Sequence, residues 1–171
     1  MIYLLDSSAV ITAKNEYYQF DRVPEFWDWL VFHAEAGRIK IPPEIYGEII
    51  KQDDELKVWI QKNKSALVYN EEPYLGLVSR VLEKYTSGRR LTDDDLEHMG
   101  ADPYLVACAC AQNEATVVTG EVHKPSIQGA KRRIPNICED MGVNWTNIPG
   151  LSRKKGLVTL LDFKTDWFLH H

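Results

Sequence analysis

An α/β layered fold around a mainly parallel sheet is the architecture these 171 residues predict, and three observations predict it. Ile2–Leu5 is a short, unbroken apolar run without helical period, the pattern of a strand covered on both faces. Residues 115–119 form a second buried run, rich in β-branched side chains. Around them, segments with apolar residues at three- and four-residue steps alternate with further short strands, and that alternation builds a parallel sheet packed against helices.

Asp6-Ser7-Ser8 ends the first strand, and Ser7 or Ser8 is expected to cap a short helix through Ala9, Val10 and Ile11. After a loop carrying Tyr17, Tyr18 and Phe20, residues 24–36 place Phe26, Trp27, Leu30, Val31 and Ala34 on one helix face, with Gly37 as terminator. Residues 39–41 read as a strand, and Pro42-Pro43 opens a helix carrying Ile45, Tyr46, Ile49 and Ile50. Helices are expected at 55–61 and at 73–85, the second with Leu77, Val81 and Leu82 inward. Thr92 with Asp95 three residues on resembles a reciprocal cap, so the run Asp93, Asp94, Asp95 and Glu97 is structural or solvated. Asp102-Pro103 leads into an almost wholly apolar helix, 104–111; the buried strand 115–119 follows, then a loop and helix at 132–141 and a strand at 143–146.

With 44% hydrophobic and 26% charged residues, the chain reads as one domain, 1–150, followed by a tail, 151–171. The tail carries Leu157, Val158, Leu160, Leu161, Phe163, Trp167 and Phe168, too apolar to float free, and is expected to pack on the domain or on a partner. His170-His171 receive no metal role. No apolar run approaches a membrane span and no leader pattern opens the chain, which predicts a soluble, cytoplasmic protein with no membrane partner. Cys108, Cys110 and Cys138 are odd in number and lack zinc-knuckle spacing, so they are packing residues. A net charge of −5 argues against a general phosphate-binding surface. Any nucleic-acid contact is local, with Lys131-Arg132-Arg133, Arg153-Lys154-Lys155 and Arg89-Arg90 as candidates, each of a kind common on solvated faces.

In an open parallel sheet, ligands bind beyond the carboxyl ends of the strands where strand order reverses. Asp6 follows the first buried strand and Glu121 the second, so neighbouring central strands bring both to one crevice. Asp102 stands at the start of the apolar helix, where backbone N–H groups favour negative charge. Glu48 flanks the buried stripe of its helix and can lean toward the sheet end, whereas Glu44 lies farther round and should be solvated. Each acid also has a plain structural reading: Asp6 and Asp102 as helix caps, Glu48 as a surface acid, Glu121 as a loop residue. Convergence lifts the set, because unpaired acids at one edge repel unless a cation sits among them. Carboxylates without His or Cys select hard ions such as Mg²⁺ or Mn²⁺, and phosphodiester hydrolysis is the chemistry that follows.

These residues resemble the motifs of the PIN-domain nucleases. Leu4-Leu5-Asp6-Ser7-Ser8 is similar to the family's opening strand and Asp-x-Ser/Thr, and Ile41-Pro42-Pro43 through Glu48-Ile49 to its second motif. Ala101-Asp102 before an alanine-rich helix resembles the third, and Val117-Val118-Thr119-Gly120-Glu121 the fourth, a strand ending in Thr-x-Asp. Phe26-Trp27-Asp28-Trp29-Leu30 and Arg133-Ile134-Pro135-Asn136-Ile137-Cys138 place the likeness in a poorly characterised subgroup. The resemblance implies a three-layer α/β/α sandwich and a metal-dependent endoribonuclease, the VapC-like toxin of a type II toxin–antitoxin pair. It also implies an antitoxin protein partner and, as is common in similar proteins, a homodimer. Asp6, Glu48 and Asp102 then become metal ligands with Glu121, and Ser8 and Thr119 orient them or their waters. Glu121 departs from the family's Asp, and one extra methylene can shift or abolish a second metal. That departure, with the apolar tail, supports an alternative: a catalytically weak module that acts by binding an antitoxin or other protein. A phosphatase-like use of Asp6 as nucleophile lacks its acid–base partner, since Ser8 stands where a second Asp is needed.

Overall fold

A computed structural model of the chain describes residues 1–71 and 75–148. The expectations for the apolar tail and for Arg153-Lys154-Lys155 fall outside the described residues. Strand β1 (Ile2–Leu5) runs into helix α1 (Ser7–Thr12), which continues as a π-helical turn, Ala13–Tyr17. Asp6, not Ser7 or Ser8, is the N-cap position of α1, and both serines lie inside the helix, where their hydroxyls serve tertiary contacts instead. Helix α2 (Pro24–Glu35) opens with proline and ends before Gly37 at φ +72°. Its buried face is displaced from the expected stripe, since Trp29 and His33 are covered while Val31, expected inward, is only half-buried. Strand β2 (Ile39–Lys40) and helix α3 (Pro43–Ile49) match the Pro-Pro signal, and α4 (Glu55–Lys62) is capped by the Asp54 side chain.

A short α5 (Lys64–Leu67), without a sequence signal, returns the chain to Ile41, which bridges to Val68. Helix α6 (Leu75–Thr86) buries Val78, Val81 and Tyr85. Leu77 and Leu82, expected inward, are only partly covered, so the buried stripe lies one residue round the helix from expectation. The reciprocal cap of Thr92 and Asp95 opens α7 (Asp93–Met99) as expected. Helix α8 (Asp102–Ala111), strand β3 (Ala115–Val118), a 3₁₀ turn at Gly129–Lys131, helix α9 (Ile134–Met141) and strand β4 (Asn144–Thr146) complete the described chain.

The four strands form one wholly parallel sheet in the order β2-β1-β3-β4. From β1 the chain steps one way to β2, and β3 lies on the other side of β1, so the order reverses between β1 and β3. Right-handed crossovers in opposite senses put successive helices on opposite faces. Accordingly α2 packs on β2, while α8 and α9 pack on β3, β4 and each other, giving a three-layer α/β/α sandwich. Leu4, Val117 and Val118 are fully buried at its centre, as a strand covered on both faces requires. Phe20 stacks on Trp27 at 4.1 Å and Tyr18 on Phe26 at 4.0 Å, which fastens the loop before α2 to the core. Among the described residues, no helix is long and apolar enough to cross a membrane.

Candidate functional site at the carboxyl edge of the sheet

Leu5 pairs with Val118 across β1 and β3, so the next residues of each strand, Asp6 and Thr119, emerge side by side at the reversal point. The Asp6 side chain is 2% exposed. Its Oδ2 accepts hydrogen bonds from the Ser8 hydroxyl and, at 2.9 Å, from the Thr119 hydroxyl. Both hydroxyls are themselves oriented by backbone: Gly120 N–H donates to Ser8 Oγ at 2.9 Å and Glu121 N–H to Thr119 Oγ1 at 3.1 Å. Gly120 packs closely here: a Cβ would meet the Ser8 carbonyl oxygen at 3.1 Å and the Ser8 and Thr12 hydroxyls at 3.2 Å, so these neighbours would have to give by a few tenths of an ångström. Burial nevertheless dominates, and with the Glu121 charge it pushes the Asp6 carboxyl up to about 6 despite the two hydroxyls.

Asp102 occupies the first turn of α8, yet its carboxyl caps nothing. It has no hydrogen-bond partner among the described residues. Burial, followed by the charges of Asp6, Glu121 and Glu48, pushes it up to about 9, and Arg133 pulls only weakly the other way. A half-buried carboxyl acted on by three others is costly as an anion, so it either keeps its proton or faces a cation.

Glu48 reaches the same edge from α3. Its Oε1 accepts from the Ala101 N–H at 2.8 Å and its Oε2 from the Ser7 hydroxyl at 3.3 Å, joining α3 to the starts of α1 and α8. The close passage depends on Gly100, at φ +51°, where a Cβ would lie 2.5 Å from Glu48 Oε1. Glu121 arrives from the loop after β3, but both its oxygens are taken within the protein: Oε1 by Arg133 at 2.7 Å and Oε2 by the Ile134 N–H at 2.7 Å. All six residues singled out from the sequence thus meet at one edge.

Gly100 and Tyr85 carried no expectation from the sequence, Ser7 was expected only as a helix cap, and Arg133 only as part of a basic patch of a kind common on solvated faces. The Tyr85 hydroxyl is buried without a hydrogen-bond partner among the described residues, and Asp102 is the charge that acts on it most strongly. The glycine before Ala101-Asp102 is a visible helix-stop signal, whereas the contacts of Arg133 and Tyr85 have no local sequence mark. Glu44, expected to be solvated, is half-buried with Oε2 covered and unpartnered, because α3 lies in a seam against α8 and the Cys108 thiol. Arg132 is held by Asp140, Arg89 by Asp95, and His123 pairs with Glu139, so much of the basic and loop charge is answered internally.

The donor set is oxygen alone and suits a hard divalent ion, and Asp102 is the group that most needs one. As the side chains lie, no three acid, His or Cys groups among the described residues converge on a single ion position. Asp6, Asp102 and Glu48 fit such an ion by chemistry and placement; Glu121 is the acid of the four already paired with a cationic side chain, Arg133.

Fold and site together define an α/β/α protein with a cluster of acids at the switch point of a parallel sheet. The chain belongs to DUF4411, a domain of unknown function whose family model matches residues 3–159. No curated protein matches it.

Proposed function

We propose that the chain is a PIN-domain-like, metal-dependent endoribonuclease that hydrolyses RNA phosphodiester bonds in the cytoplasm, as the toxin of a type II toxin–antitoxin module. The observation that carries this reading is Asp102: a half-buried carboxyl, without a hydrogen-bond partner among the described residues, that feels the charges of Asp6, Glu121 and Glu48 at the switch point of the sheet. Asp6, Glu48 and Asp102 are the residues that would hold Mg²⁺ or Mn²⁺, which when bound polarises the phosphoryl group and supplies a water-derived nucleophile. Ser8 and Thr119 hold Asp6 in one orientation through Oδ2, which leaves Oδ1 with only the longer, 3.5 Å contact from the Ser7 hydroxyl. Glu48 fixes the turn before α8 and with it the position of Asp102. The toxin role and the antitoxin partner rest on the motif resemblance. Induced expression in a bacterial host tests them: wild type arrests growth and Asp102→Asn does not, while equal growth of both speaks against the toxin role.

A second reading, a catalytically weak module that acts by binding a protein, is favoured by one observation. Glu121 is committed to Arg133 and Ile134, and no three acids yet share an ion position among the described residues. Stable co-purification with a partner, combined with no Mn²⁺ binding, selects this reading over the first.

A further inference from the structure

Glu48 and Glu121 both have each oxygen engaged by a protein donor, but only Glu121 meets a charged one among the described residues: Arg133 at 2.7 Å, beside the Ile134 N–H at 2.7 Å at the start of α9. Moving Glu121 onto a metal would strip Arg133 of its partner and leave the Ile134 N–H unsatisfied, a cost that the ion would have to offset. Arg133 itself is 42% exposed against 18% for Glu121, so the guanidinium stands at the rim with donors left over. Its neighbours point elsewhere: Arg132 binds Asp140 and the Lys84 carbonyl, and Arg89 binds both oxygens of Asp95. Arg133 therefore combines exposure with a place beside the acids, on a protein whose overall charge of −5 repels phosphate.

We propose that Glu121 ligates no metal and instead holds Arg133 at the rim as the contact for an RNA phosphate, leaving one divalent ion to Asp6, Glu48 and Asp102. This inference rests on the nuclease reading above. A guanidinium anchored on one side keeps its planar fork oriented for a second anion, which a lysine cannot do.

Calorimetric titration of Mn²⁺ into wild type and Glu121→Gln counts the ions. One ion per chain in both, with affinities within about twofold, is the expected result. Two ions in wild type falling to one in Glu121→Gln overturns the proposal and leaves the nuclease reading standing. Gln at 121 retains an acceptor for the Ile134 N–H, and thermal melts check that it folds.

The second arm follows binding of a short single-stranded phosphorothioate RNA by anisotropy across a range of salt. Arg133→Ala weakens binding about tenfold and lowers the salt slope by about one, and Arg133→Lys recovers only part of the loss. Unchanged affinity and slope in Arg133→Ala overturn the phosphate role. A wild type that binds neither Mn²⁺ nor RNA removes the nuclease reading and this inference together, a result distinct from the other two.

Discussion

Asp6 and Asp102 sit in one crevice for opposite reasons. Asp6 is fixed by two hydroxyls that themselves accept from backbone N–H groups, while Asp102 meets no donor among the described residues. Both carboxyls titrate above the ordinary range, at about 6 and about 9. A carboxyl with a raised folded pKa binds its proton more tightly in the native state than in the unfolded chain. The stability it confers is complete below the unfolded value of about 4 and drains away as pH rises through the folded values. Calorimetry on metal-free protein is therefore expected to show Tm falling between about pH 5 and pH 9, and Asp102→Asn should flatten the upper part of that fall. A wild-type Tm that holds level or rises over that range contradicts the buried, uncompensated state of these acids. Thr119→Val keeps the shape but removes the hydroxyl on Asp6, and should lower Mn²⁺-dependent cleavage about tenfold with little loss of folding; activity equal to wild type would mean that Asp6 needs no such support.

The elements deliver these side chains through a few close approaches. Gly100 lets Glu48 reach the start of α8, and Gly100→Ala combines a positive φ with a Cβ 2.5 Å from a carboxylate oxygen. A cost of about 1–3 kcal/mol is expected, read as a lowered Tm, together with loss of cleavage as Glu48 is displaced. Thr92→Ala is the contrasting case: it removes the cap of α7 for about 1 kcal/mol, at the end of that helix opposite Gly100, and should leave cleavage rates unchanged.

Those two positions also mark what a sequence reveals. Local signals were readable: the apolar runs of β1 and β3, the prolines opening α2, α3 and α8, and the Thr92–Asp95 cap all act within a few residues. Adjacency of β1 and β3, and with it the meeting of Asp6, Glu48, Asp102 and Glu121, followed from strand pattern joined to motif resemblance. Unreadable were contacts between remote segments. The Glu121–Arg133 pair, the unpartnered Tyr85 hydroxyl and the covered Glu44 oxygen depend on how α6, α8 and α9 settle against one another, and no residue spacing encodes that. The one-residue error in the buried stripe of α6 has the same origin, because periodicity alone gives a stripe's width poorly and its centre worse.

At the scale of the whole molecule, a strand order that reverses between β1 and β3 leaves a crevice at the carboxyl edge, and chain segments as far apart as residues 6, 48, 102 and 121 fill it with acids. A protein that gathers like charges in a poorly solvated place forgoes stability there, and a bound cation recovers it. Adding Mn²⁺ is expected to raise the Tm of wild type by several degrees and that of Asp102→Asn by much less, read by scanning calorimetry; equal shifts in both would place the ion elsewhere. The most direct test of the central claim is cleavage of single-stranded RNA by purified wild type and Asp102→Asn, in Mn²⁺ and after EDTA. Cleavage by the wild type that EDTA abolishes and the folded variant lacks is the predicted result, whereas cleavage that survives either EDTA or the substitution would contradict it.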